Sequence, residues 1–155
     1  MRRIWAIALT AAVVWAQTSW AGGNSWNKIR YRGGTVEAKV NPYDWNTTLT
    51  VKPDDIVLVF GPRQSLHIQP ARVLSLSYGQ EAHRRVADVV TLSAVFSPLA
   101  LFGLLHVSKD HLVGIVYRTD DGKSGAVLLE ADKHIYSDIL TLLKTVTGKP
   151  VDSTH

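Results

Sequence analysis

Six histidines are the side chains of this chain best suited to proton transfer or metal ligation: His67, His83, His106, His111, His134 and His155. A metal site needs ligands at intervals that bring them to one point, and these histidines show neither metalloprotease nor zinc-finger spacing. His106 and Asp110 would share a helical face and form an acid–base pair, as would any ordinary surface pair. Gly122-Lys123-Ser124 matches the end of a phosphate-binding loop, but Tyr117 stands where that loop requires its first glycine. No Gly-x-Ser-x-Gly elbow is present to raise a serine nucleophile. Cysteine is absent, which removes thiol chemistry, disulfides and lipidated cysteine together. Asn46-Thr47-Thr48 fits the glycosylation acceptor pattern, which matters where the host glycosylates exported chains. The expectation is a chain with no catalytic residue, no cofactor and no metal ligand. The alternative, a hydrolytic enzyme, requires His67 or His106 to meet a carboxylate in a concave pocket.

A stronger physical signal lies between Val89 and Val107: VVTLSAVFSPLALFGLLHV, 19 residues without a formally charged side chain. His83-Arg84-Arg85 and Asp88 flank it on one side, Lys109-Asp110 on the other. As one straight helix it would cover about 28 Å, close to the hydrocarbon thickness of a bilayer. Ser97-Pro98 opposes that, because it reads as an N-cap followed by proline in the first helical turn. Two helices are expected instead, about Glu81 to Phe96 and Pro98 to His106, each too short to span a membrane. A crossing would also put the strands before and after it on opposite sides, where they could not share a core. Burial against a sheet, an interfacial hairpin and a partner-docking patch are the surviving options. In the last two, Val95, Phe96, Leu99, Leu101, Phe102, Leu104 and Leu105 carry the contact. Arg84, Arg85 and Lys109 then either meet anionic headgroups or solubilise the helix ends.

The amino terminus has the three parts of a secretory signal: Met1-Arg2-Arg3, an apolar stretch from Ile4 to Ala16, and small residues in Ser19-Trp20-Ala21. Residues 1–21 are expected to be removed after Ala21. The same stretch is about long enough to remain as an uncleaved anchor. Either outcome sends the rest to the periplasm or cell envelope. Without Arg2 and Arg3, 15 basic residues face 13 acidic ones, so the formal charge falls from +4 to +2. That balance gives no ground for a nucleic-acid partner; a membrane surface or an envelope protein fits better.

The elements that must position these residues can be read from pattern. Residues 22–33 read as a mixed lead segment ending at Gly33-Gly34, a turn or bulge signal, with Trp26 expected to cap a small barrel. Strands are expected over Thr35–Val40, Thr47–Val51, Ile56–Phe60, Ser65–Gln69, Arg72–Tyr78, His111–Thr119 and Gly125–Glu130. Asp120-Asp121-Gly122-Lys123 supplies hairpin chemistry between the last two. Asp132 reads as the N-cap of a helix whose apolar positions Ile135, Ile139, Leu142, Leu143 and Val146 share one face. Gly148 and Pro150 end it, and residues 151–155 form a tail.

The paired strands HLVGIVYRT-DDGK-SGAVLLE and the closing helix ADKHIYSDILTLLKTVTGKP resemble those of pleckstrin-homology-like and GRAM-like domains. The resemblance covers residues 34–150, interrupted by an insert at 81–108. It implies a mainly β (α+β) fold: about seven strands in a bent sheet pair or partly open barrel, closed by a C-terminal amphipathic helix, with an inserted apolar helical hairpin. The same inventory accommodates a lipocalin-like barrel or a generic α+β domain. Families of this fold often bind phosphoinositides or peptides, but the basic cluster for phosphoinositides has no matching positions here. The functional expectation is an exported, non-catalytic envelope domain that touches membrane or a protein partner through the insert, or a structural subunit with the insert buried.

Overall fold

The computed structural model describes residues 24–41, 43–93 and 110–153. The segment read as a signal (1–21) and the second expected helix of the insert (Pro98–His106) lie outside them. Eight strands form one sheet: β1 (Asn24–Gly34), β2 (Thr47–Val51), β3 (Ile56–Phe60), β4 (Gln64–Ile68), β5 (Val73–Tyr78), β6 (His111–Arg118), β7 (Ser124–Ala131) and β8 (Val151–Ser153). Among the described residues two α-helices accompany them, α1 (Gln80–Ser93) and α2 (Tyr136–Thr147). The strand order is β4-β3-β2-β1-β7-β6-β5-β8, so the sheet is open, with β4 and β8 at its edges. Neighbours are antiparallel apart from β5 and β8, which makes the sheet mixed. The expected seven strands become eight because two segments behave differently from their pattern.

The first is the lead segment. Residues 24–34 form the long strand β1 between β2 and β7, while Thr35–Val40 joins no ladder. In β1, Ile29 and Tyr31 face the core and are buried. The alternate residues Arg30 and Arg32 lie on the opposite face of the sheet, where both pair with the buried Glu130 of β7, so neighbouring charge conceals an ordinary period-2 strand. Gly34 is no turn. A Cβ there would lie 2.1 Å from the Ala126 carbonyl oxygen, and its φ of +151° suits glycine. Beyond it, Val36, Ala38 and Val40 pack against the core from alternate positions. Their period is real but reports one-sided burial. The Tyr31 hydroxyl donates to the Val36 carbonyl at 2.6 Å, and the Thr35 N–H donates to the Ala126 carbonyl at 2.9 Å.

The second is the tail. Val151–Ser153 forms β8, with Val151 beside Leu76 and Ser153 beside Tyr78 of β5. Gly148, at φ 67°, ends α2 by donating its N–H to the Lys144 carbonyl, as a left-handed C-terminal residue does. Asp132 works one turn earlier than expected. Its carboxylate accepts the His134 N–H at 2.9 Å and its carbonyl accepts from Ile135 and Tyr136, while α2 itself starts at Tyr136 without a side-chain cap.

Two apolar clusters hold the elements. The larger joins Leu49, Leu58 and Ile68 of β2–β4, Leu76 and Ile115 of β5 and β6, and Ile139 and Leu143 of α2. Strands from both ends of the open sheet thus bury side chains against the same helix, and each fully buried leucine or isoleucine is worth about 1.5–3 kcal/mol. The smaller cluster lies on the outer face, where Ala82, Val86 and Val90 of α1 meet Leu112 and Val116 of β6 and Ala126 and Leu128 of β7. Their i, i+4, i+8 spacing is the single apolar stripe of a docked helix. The first half of the insert is therefore an amphipathic helix laid on the sheet.

Candidate functional site

Of the residues expected to make membrane or partner contact, Arg84 and Arg85 are described; Val95, Phe96, Leu99, Leu101, Phe102, Leu104, Leu105 and Lys109 lie outside the described residues. Arg84 and Arg85 sit on the polar side of α1 and converge on Glu81. Arg84 donates from Nε at 3.1 Å and from its terminal nitrogen at 2.5 Å, and Arg85 donates from Nε at 2.8 Å. Arg85 also reaches Asp152 of β8 at 2.9 Å, pinning α1 to the sheet edge. Donation from Arg84 and then Arg85 brings the Glu81 carboxyl down to about 2. Two guanidiniums shared between two carboxylates leave little uncompensated charge for a headgroup.

At the far end of α1 the polar side gives way. Leu92 is 85% exposed, whereas Val90 is 1% exposed. Leu92 and Val89 line a groove of about 930 Å³ with Thr35, Val36, Tyr117 and the β6–β7 hairpin from Thr119 to Ser124. That hairpin is tied locally: Gly122 has φ 82°, and Asp121 accepts from the Thr119 hydroxyl and, at 3.3 Å, from the Lys123 N–H. The Asp121 carboxyl is lowered chiefly by that hydroxyl. Gly122-Lys123-Ser124 accordingly belongs to hairpin geometry.

The structure does bring one histidine to a carboxylate. Asp55, at the turn into β3, and His67 of β4 meet at Oδ2···Nδ1 2.8 Å. Their register explains it, since Ile56 faces Ile68 across the β3–β4 ladder. They line a cleft of about 480 Å³ together with Arg72, which is ion-paired to Asp120. Hydrolysis would need a nucleophile at the other imidazole nitrogen. The hydroxyls lining the cleft belong to Tyr117 and Thr119. Burial pushes the Tyr117 phenol up, with Thr35 as its hydrogen-bond partner, and Thr119 donates to Asp121. The His67 side chain is 61% exposed, so water screens the pair. Residue type alone singled out His67 but not Asp55, whose turn position hid it. Among the described residues no group of three or more acidic or histidine side chains is placed to hold a metal ion.

His111 has structural surroundings. His111 stacks on Tyr136 at 3.9 Å between centroids and accepts or donates at Nδ1 to the Tyr78 hydroxyl at 2.7 Å. This ties β5, β6 and the start of α2 together. His106 and His155 lie outside the described residues. Trp26 packs against the main core, and Trp45 covers the Arg30 guanidinium at 3.8 Å. The Asn46 side chain donates to the Asn41 carbonyl and accepts the Thr47 hydroxyl, so the acceptor motif is built into the β1–β2 loop. Among the described residues no helix is long and apolar enough to cross a membrane.

No protein-family model and no curated protein matches the chain. Among solved structures it is similar to a chain of the Spt16D–Pob3N heterodimer, at 9% identity and a TM-score of 0.50. The match covers 86% of this chain and 55% of that one, so this chain spans about half the other's length. The likeness is one of fold. It supports a PH-like architecture.

Proposed function

We propose that this protein is an exported, non-catalytic binding module of PH-like type, with a hydrophobic insert that contacts a partner at the cell envelope. The observation that carries the reading is the reversal along α1. Its first three turns bury an apolar stripe, and its end exposes Leu92 within the uncharged run of residues 89–107. An exposed leucine leading into an uncharged, apolar sequence supports a docking role toward protein or membrane. The ion pairing of Arg84 and Arg85 with Glu81 and Asp152 favours a protein surface over anionic lipid. The basic start and apolar stretch of residues 1–21 support export, and Ser19-Trp20-Ala21 supports cleavage.

The test is co-purification of the full chain from envelope extracts, beside a Phe96→Ser/Phe102→Ser variant. A stoichiometric partner lost in the variant is the expected result. Flotation of wild type, but not variant, with neutral phosphatidylcholine vesicles would assign the contact to lipid. Point substitutions are preferable to deleting residues 86–107, because Val86 and Val90 belong to the outer core.

A further inference from the structure

We propose that the free edge of β4 is a second interaction site, which takes a short, uncharged, extended segment of a partner protein as an added strand. The proposal goes beyond the apolar run and does not rest on it. β4 pairs with β3 on one side, and among the described residues no strand lies on the other. An edge strand directs the N–H and C=O of alternate residues away from its sheet, where they can pair with an incoming chain. Edges are ordinarily blunted by proline, charge, a bulge or extreme shortness. β4 reads Gln64-Ser65-Leu66-His67-Ile68, with no proline and no acidic, lysine or arginine side chain, and its register with β3 runs without a bulge. The opposite edge differs. β8 has three residues and carries Asp152 bound to Arg85.

The cleft of about 480 Å³ lies along this edge. Residues Leu66 to Gln69 form one wall, and Arg72 with Tyr117 to Asp120 bound it beyond. A chain added to β4 would lie about 4.8 Å from it, between the edge and that second wall. The edge of a second folded copy, backed by its own sheet, would meet that wall. The Gln64 end is closed, because its side chain donates to the Glu37 carbonyl at 2.8 Å. Three of the cleft's polar groups are already engaged: the Asp55 carboxylate with the His67 imidazole, Arg72 with Asp120, and Arg118 with the Gly122 carbonyl. Recognition then rests on main-chain hydrogen bonds along about four residues, with uncharged side chains on the incoming strand.

The experiment selects a phage-displayed library of 12-residue peptides on the full chain and maps the winners by amide exchange. Weakly charged peptides that protect the amides of Ser65 to Ile68 are expected. Adjacent residues in a strand point their N–H groups to opposite sides, so Ser65→Pro and Leu66→Pro bracket the outward donor. One of the two should retain the unfolding transition and bind the selected peptide at least tenfold more weakly. Failure to select any peptide, protection that maps to the α1–hairpin groove, or binding unchanged in both proline variants would overturn the proposal. So would concentration-dependent dimerisation through β4, which would assign the edge to a second copy. If neither proline variant folds, the wild-type exchange map decides by the same criteria.

Discussion

Ala82 of α1 rests directly on Gly114 of β6. A Cβ built at Gly114 would lie 3.1 Å from both the Cα and the Cβ of Ala82, and 2.5 Å from the Ser77 hydroxyl oxygen. The outer helix can approach the sheet because two of the smallest side chains meet at that crossing. The helix is thereby a fixed part of the fold, and the sheet sets where its last turn lies.

Gly114→Ala is expected to lift α1 and cost about 1–3 kcal/mol, the usual range for overpacking a filled interior. Thermal unfolding reads it directly, as a lower midpoint with the β-sheet signal retained below the transition. An unchanged midpoint would show that α1 shifts without cost.

Along α1, exposure separates two roles. Val86→Ala removes two methyl groups from the outer cluster and should destabilise by about 2 kcal/mol. Leu92→Ser, at an 85% exposed position, should change stability by less than about 0.5 kcal/mol and reduce partner contact. Denaturant midpoints of the two variants, measured side by side, test the division.

The Glu81 carboxyl is held down to about 2 by Arg84 and Arg85, so its contribution has a definite sign. A depressed folded-state value means stability that is complete above the ordinary carboxylate value near 4.5 and lost as pH falls from there toward about 2. The wild type should lose stability through that window more steeply than Glu81→Gln. Unfolding midpoints between pH 5 and 2 compare them; parallel profiles would contradict the assignment.

Glu130 is shared by Arg30 and Arg32, and the Arg32 and Glu130 side chains are each 8% exposed. Glu130→Ala leaves guanidinium charge buried without its carboxylate and should cost about 3–5 kcal/mol. Arg30 is more exposed and stacks on Trp45, so Arg30→Ala should cost less. Equilibrium unfolding of both variants checks the order.

How much of this was legible in the sequence depended on whether the pattern was local. β2 and β3 fall on the expected residues, and the Asp121-Gly122 hairpin and the Gly148 helix end have the expected backbone, because each rests on neighbouring side chains. β1 was hidden because its two arginines are compensated by Glu130, about 100 positions away. Thr35–Val40 misled because alternation reports which side is buried and not whether the backbone has a partner. β8 carries too few residues to show a period. Asp55 came to His67 through the β3–β4 register, which no spacing rule discloses. Arg84 and Arg85 suit either headgroup contact or a solubilised helix end by sequence; Glu81, three and four residues before them, is a local partner, whereas the Arg85–Asp152 pair spans a distance along the chain that no local pattern discloses.

The central claim is that the apolar run after α1 is a contact surface and not part of the core. Equilibrium unfolding of the Phe96→Ser/Phe102→Ser variant tests it most directly, since two phenylalanines lost from a core would cost several kcal/mol. The account predicts a midpoint within about 0.5 kcal/mol of wild type, as for substitutions outside a core. A loss of more than about 3 kcal/mol would place both rings in the interior and contradict it.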